Sequence, residues 1–356
     1  MDNQRGGALG AVSPSEAHNG ADFGGWAPAV LTRRKLLASA GLAAAGAWGA
    51  RAAYRRWEGF QSADVFIGRA ASYTSGLRNV LLEGLRAIGV DRKSIAGKSV
   101  LLKPNLVEPS RDAPHINTHP AFIVAAAEAF RSLDAREVFV GEGPGHCRDT
   151  HLVLDESGVG DALREHGLEF VDLNIDDVDP WRNRSRLTRL AELHLPRSLR
   201  RADVVVSLPK MKTHHWTGAT LSMKNFFGVM PGVCYGWPKN VLHHHGIHES
   251  VVDAVSTVRP HLAIVDGVVA MEGDGPIMGS PKAAGLVVMG TNLPAVDATC
   301  CRLMRIAPER IGYLAAASGR LGPIRERNIG QRGETIASCA QTFKLVDHPE
   351  IARLRA

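Results

Sequence analysis

Short runs of β-branched and aliphatic residues alternate with longer stretches of helical periodicity along most of this chain, which restricts it to α/β architectures. Strands are expected at residues 99–102, 137–140, 169–173, 203–208, 262–265 and 286–289, and the segments 121–133 and 249–258 carry apolar residues at helical spacing. Strands separated by helices pair in parallel, so the expected fold is α/β, a mostly parallel sheet flanked by helices, over residues 60–345. No self-similar period of about 20 to 50 residues runs through the chain, which excludes a solenoid or a propeller. Open parallel sheets bind ligands outside the carboxyl ends of their strands, so the residues just beyond each strand are where function is sought.

Composition narrows the classes further. The net charge is +6, but residues 1–60 supply +3 of it, leaving the body nearly balanced. No basic stripe interleaved with aromatics is present, so nucleic acid is not an expected partner. Aromatic residues make up only 6% of the chain, and the core must therefore be largely aliphatic. The five cysteines, Cys147, Cys234, Cys300, Cys301 and Cys339, form no C-x-x-C pair. A built-in iron–sulfur cluster is not expected, and the odd number implies no disulfide framework.

Residues 1–52 read as a polar, disordered n-region followed by a signal. Thr32-Arg33-Arg34-Lys35-Leu36-Leu37-Ala38 leads into an Ala- and Gly-rich run ending at Ala50. This resembles a twin-arginine export signal, with Leu36 and Ala38 departing from the usual pattern. The apolar run is shorter than the about 20 residues a membrane span needs. Cleavage near Ala52 is expected, although Arg51, Arg55 and Arg56 are also compatible with a retained signal anchor. The resemblance implies the twin-arginine machinery as a partner and a periplasmic or other extracytoplasmic destination.

Several familiar motifs fail. Gly97-Lys98-Ser99 ends like a phosphate loop, but Arg92 stands where its first glycine belongs and the triplet precedes a strand. Arg148 falls where a dinucleotide fingerprint after Gly141, Gly143 and Gly145 would need its last glycine. Val252 replaces the second histidine of a zinc-protease helix beginning His248-Glu249. Asp177 and Asn183 break a calcium loop that begins at Asp172.

Polar residues nevertheless collect beyond the strands: Lys103-Pro104-Asn105, Glu142 after Gly141, Lys210-Met211-Lys212-Thr213-His214, Asp266-Gly267, and Glu272-Gly273-Asp274-Gly275-Pro276. Between Lys210 and His248 lie six of the fifteen histidines together with Lys212, Lys224 and Lys239. Clustered lysines at strand ends supply donors for an anionic ligand, and a desolvated one can also serve as a base. Acids in a glycine-rich loop suit a hard cation or a general base, and the run His243-His244-His245 suits a transition metal.

The set Lys103-Pro104-Asn105, Thr118-His119-Pro120, Gly141-Glu142-Gly143, Pro209-Lys210-Met211-Lys212-Thr213-His214, Lys224-Asn225-Phe226-Phe227-Gly228, Val265-Asp266-Gly267, Met271-Glu272-Gly273-Asp274-Gly275-Pro276 and Val296-Asp297-Ala298 resembles the family called domain of unknown function 362. The resemblance spans about residues 101–321. It implies that the motif residues form one site, and it places the chain near redox and iron–sulfur biology, since some members carry ferredoxin-like segments. It names no reaction.

The expectation that follows is an exported enzyme acting on a small anionic substrate or cofactor. Lys103, Lys210 and Lys224 would bind the anion, with Asn105 and Asn225 orienting it. His119, His214, Lys212 and Glu142 are the catalytic candidates, and Glu272, Asp274, Asp266 and His245 are the candidate ligands of a divalent metal. The alternative is a non-catalytic cofactor-binding or accessory protein for an exported redox partner.

Overall fold

The computed structural model describes residues 62–355, except 75, 147 and 148, together with residues 46, 48, 49 and 51. The twin-arginine motif lies outside the described residues. The chain divides into two compact units, residues 1–55 and 56–356. Among the described residues, no helix is long and apolar enough to cross a membrane.

The strands of the second unit are β1 (Ala63–Arg69), β2 (Ser99–Pro104), β3 (Glu137–Glu142), β4 (Phe170–Asp172), β5 (Val178–Arg182), β6 (Glu192–Pro196), β7 (Val204–Leu208), β8 (Lys210–His214), β9 (Gly218–Thr220), β10 (Leu262–Glu272), β11 (Ser280–Lys282), β12 (Leu286–Gly290) and β13 (Ile329–Gly333). Eleven of these form one sheet whose main path is β13-β1-β12-β10-β7-β2-β3-β4, while β5 and β6 form a separate hairpin. The pairs from β10 through β7, β2 and β3 to β4 are parallel. Only β12 runs against its neighbours β1 and β10 on that path. The α/β fold with a mostly parallel sheet is thus as expected.

Both faces of the sheet are covered, because successive strand residues point to opposite sides. Val65, Ile67, Leu101 and Val265 pack with helices α3 (Ile247–Val258) and α4 (Leu293–Leu303) on one face. Phe66, Val100, Leu102 and Ile264 pack with α1 (Leu77–Ala87) and α2 (Pro120–Ser132) on the other. Strands buried on both faces read as continuous aliphatic runs, which is why these segments were recognisable.

The largest departure from expectation concerns the segment after β7. Pro209 ends that strand, since it has no N–H to donate, yet Lys210–His214 is a strand and not a loop. It pairs in parallel with the outer half of β10, with Lys210 opposite Asp266 and Lys212 opposite Met271. The expected strand 262–265 therefore continues to Glu272. Alternating lysines hid β8 from a reading that sought apolar runs. The two-residue period puts Lys210, Lys212 and His214 on one side and Met211 against the core cluster on the other.

Candidate functional site

A cavity of about 350 Å³ opens at the carboxyl ends of β2, β3 and β8. Its wall includes Asn105, Glu142, Lys212, His214, Lys224, Asn225 and Asp274, seven of the residues expected from the sequence. It also includes Trp216, Thr220 and Phe227, which were assigned no site role from the sequence, and Lys239 and His243, which belong to the lysine cluster and the histidine run singled out there.

The buried base of the wall is a lattice of polar contacts. Lys103 is fully buried and forms an ion pair with Glu142. Its ammonium also donates to Asn225 Oδ1 at 3.0 Å and to the Pro104 carbonyl at 2.9 Å. Asn225 returns a bond from Nδ2 to the Lys103 carbonyl and another to Ser207 Oγ. A Cβ at Gly228 would stand inside the Lys103–Glu142 pair, which explains the glycine of the Phe226-Phe227-Gly228 segment. Lys103 and Asn225 therefore brace the floor of the cavity, and neither was expected in that role.

The remaining cavity lysines have no such partner. Lys212 donates to the Ile116 carbonyl at 2.9 Å and the Pro276 carbonyl at 3.3 Å, tying together the two loops that carry them. Lys239 donates to four carbonyls, those of Gly143, Phe227, Gly228 and Met230. Lys224 is partly buried, has no hydrogen-bond partner among the described residues, and lies 5.8 Å from the Phe227 ring centroid. Burial lowers all three: Lys212 falls well below the usual amine range, Lys224 to about 8 and Lys239 to about 7. Lys212 is lowered further by the charges of Lys224 and Lys210.

Two histidines of the wall are held in opposite tautomers. His214 Nδ1 accepts from the Trp216 and Thr217 N–H groups at 3.0 and 3.3 Å, so the neutral ring carries its proton on Nε2 and presents a donor. His243 Nδ1 stands 3.0 Å from the Lys239 carbonyl, which only an N–H can satisfy, so its Nε2 carries the free lone pair. Burial first, and then the Lys224 charge, keep His214 neutral; burial likewise lowers His243. Asn105 Oδ1 and Thr220 Oγ1, both buried in the wall, have no hydrogen-bond partner among the described residues.

Lys224 and Asn225 are positioned by the short helix Ser222–Asn225. The fully buried Asp297, from α4, accepts from the Ser222 and Met223 N–H groups at 2.8 and 3.0 Å and from Ser222 Oγ at 2.5 Å. The Val296-Asp297-Ala298 motif thus acts from behind the site, capping the helix that presents Lys224. Burial raises the Asp297 carboxyl to about 7 against the pull of these donors.

Other expected residues lie elsewhere. Lys210 and Asp266 pair at 2.6 Å in a second buried knot with the Tyr73 hydroxyl, and neither lines the cavity. His119 is the N-cap of α2: its Nδ1 accepts from Ala121 N–H, its backbone N–H donates to Asp266, and its ring stacks on Tyr73 at 3.7 Å. Thr118 Oγ1 meanwhile donates to the Leu208 carbonyl and accepts from Asn105 N–H, so Thr118-His119-Pro120 welds the loop after β2 to the end of β7. The four candidate metal ligands do not come together. Asp266 is held by Lys210 and Glu272 by Lys282 at 3.0 Å, His245 is not in the wall, and Asp274 alone of the four lines the cavity, beside His215 at 3.4 Å. Among the described residues, no three His, Cys, Asp or Glu side chains are placed to share an ion.

Residues 100–302 match the profile of the domain of unknown function family DUF362. The chain belongs to the DUF362 family. It is 30% identical over 267 residues to a thylakoid-associated protein of Synechocystis sp., covering 72% of this chain and 79% of that one. Among solved structures it is similar to the lactate racemase apoprotein of Thermoanaerobacterium thermosaccharolyticum, with a TM-score of 0.42 and 13% identity over 69% of this chain. It is also similar to a protein of Thermotoga maritima, with a TM-score of 0.36 and 12% identity over 65% of this chain. The chain spans 58% and 59% of the length of those two. The DUF362 motifs therefore divide, in this structure, between a cavity wall and the buried knots that hold it.

Proposed function

We propose that this DUF362 chain binds a small anionic substrate or cofactor in the cavity at the carboxyl edge of its sheet. The observation that carries this reading is a group of amines without an ion-pair partner among the described residues: Lys212, Lys224 and Lys239 line one cavity, Lys212 and Lys239 are held by backbone carbonyls, and Lys224, at about 8, has no hydrogen-bond partner. Burying unpaired charge is costly unless a ligand completes the pairing. Lys224 and His214 Nε2–H are the direct donors in this reading, with the orphan Thr220 hydroxyl beside them. Lys212 and Lys239, fully buried in the wall and bonded to backbone carbonyls, fix the loops around the site in this reading. His243 Nε2 is the proton acceptor, the role the sequence had assigned to His119 or His214.

Calorimetric titration with inorganic phosphate and with a small dicarboxylate tests the reading. The wild type should bind at least one of them, and Lys224→Met should weaken that binding by about tenfold or more, the scale of one lost charge-assisted contact. Equal affinity in the two proteins, with both folded by circular dichroism, would sink the assignment.

We further propose export by the twin-arginine route, on the strength of Arg33-Arg34 and the weakly apolar run after it. The thylakoid association named for the Synechocystis relative is in keeping with passage through an energy-transducing membrane system. Replacing Arg33 and Arg34 by lysine should retain the protein in the cytoplasm of a host with a working twin-arginine system; unimpaired export of that variant would refute the route.

A further inference from the structure

The charged end accounts for only part of the cavity. Beside Lys224 and His214 the wall carries the apolar side chains of Trp216, Phe227, Ile247, Ile277 and Met278. Trp216 is 58% exposed and Met278 78% exposed, although both are large apolar side chains at the mouth of a buried site. Trp216 is not mobile surface by its contacts, since its ring stacks on His243 at 5.3 Å with an interplanar angle of 23°. Phe227 meets the same histidine edge-on at 5.3 Å. An inorganic anion or a small polar acid would leave this aromatic wall in water, where exposed apolar surface is unfavourable.

We propose that the ligand is an anion carried on a flat, unsaturated or aromatic body: the phosphate or carboxylate meets Lys224, His214 and Thr220, and the body lies along Trp216 and Phe227 toward Met278. This rests on the anion reading above and deepens it by naming the ligand class. The volume of about 350 Å³ is of the size that holds one such molecule. Aromatic side chains favour a planar partner through face and edge contacts, so saturated chains of equal area gain less.

The test uses the full chain and five probes in calorimetric titrations: inorganic phosphate, acetate, 1-naphthyl phosphate, 1-naphthoate and 1-naphthol. Expected is that the naphthyl form of whichever anion binds does so about tenfold or more tightly than the bare anion, that 1-naphthol binds more weakly than the naphthyl anion, and that Trp216→Ala lowers the affinity of the naphthyl anion by more than that of the bare anion. Because Trp216 is more than half exposed, this variant is expected to fold, and Phe227→Leu provides a second, independent loss of the same gain. A bare anion binding as tightly as its naphthyl form overturns the ligand class while sparing the anion site. Binding of 1-naphthol as tight as that of the naphthyl anions, or no binding by any probe, overturns both.

Discussion

Lys103 lies buried beneath the cavity and Lys224 in its wall, and they differ in what each would lose by mutation. Lys103 has a carboxylate, an amide oxygen and a carbonyl around its ammonium, all of them out of water. Removing it leaves Glu142 buried and without its ion-pair partner, so Lys103→Met should destabilise the protein by about 3–5 kcal/mol, the range for breaking a buried pair. Chemical denaturation measures this, and a loss below about 1 kcal/mol would show that Glu142 is relieved by water. Lys224 by contrast has only an aromatic ring 5.8 Å away, and the same chemical change there removes a charge the fold does not use. Both lysines stood out in the sequence. Which of them is paired and which is left without a partner was not legible, because the difference lies in residues, Glu142 and Asn225, that are 39 and 122 residues away from Lys103.

At the level of elements, the site is a junction between three strand ends and one very short helix. The four residues Ser222–Asn225 could not hold a helical turn by propensity, since a nucleus of this length is unfavourable in water. Asp297 supplies what the segment lacks by satisfying two backbone N–H groups and a hydroxyl at its start. Asp297→Ala should therefore cost about 2 kcal/mol, the upper range for a lost N-cap, and should weaken anion binding by displacing Lys224. Paired denaturation and titration experiments would show both losses; a destabilised variant with undiminished anion affinity would mean that the helix holds Lys224 without its cap. The strand β8 makes the complementary point. Its Lys-Met-Lys-Thr-His pattern is alternation with the polar residues turned inward, which a reading for apolar periodicity passes over. His119 misled for a related reason: a histidine before Pro120 at a helix start is as good a cap as a catalyst, and only the stacking on Tyr73 and the backbone bond to Asp266 place it away from the cavity.

For the whole molecule, the buried lysines set an unusual dependence of stability on pH. Lys224 and Lys239 have folded-state values of about 8 and about 7, below the about 10.5 of an unfolded chain. The folded protein therefore binds fewer protons than the unfolded chain between those values, and stability from these groups rises with pH through that window. The cost of burying them is fully present below about pH 7. Cys300 and Cys301 act in the opposite sense: burial raises both well above the ordinary thiol value, so unfolded thiols lose protons first and stability falls above about pH 8.5. Melting temperature should thus climb between about pH 7 and 8.5 in phosphate-free buffer and then level or decline. An added anion that pairs with Lys224 should flatten the climb, because it restores that group's affinity for its proton. A melting temperature that falls steadily from pH 7 upward would contradict the lysine assignment.

The sequence by itself determined the class of fold and the edge of the sheet at which chemistry collects, because strands buried on both faces must be written as aliphatic runs and because parallel strands bring their carboxyl ends to one rim. It also marked seven of the residues that line the cavity. Tertiary structure alone decided how they divide: Lys210, Asp266 and His119 into one buried knot, Lys103, Glu142 and Asn225 into a brace, and Lys224, His214, Thr220, Trp216 and His243 around the cavity. The physical reason is that a buried charge is defined by what lies within about 4 Å of it, and those neighbours come from strands and loops far apart in the chain. Residue types announce that a lysine is costly to bury; only the fold shows whether that cost is met by a carboxylate or left for a ligand.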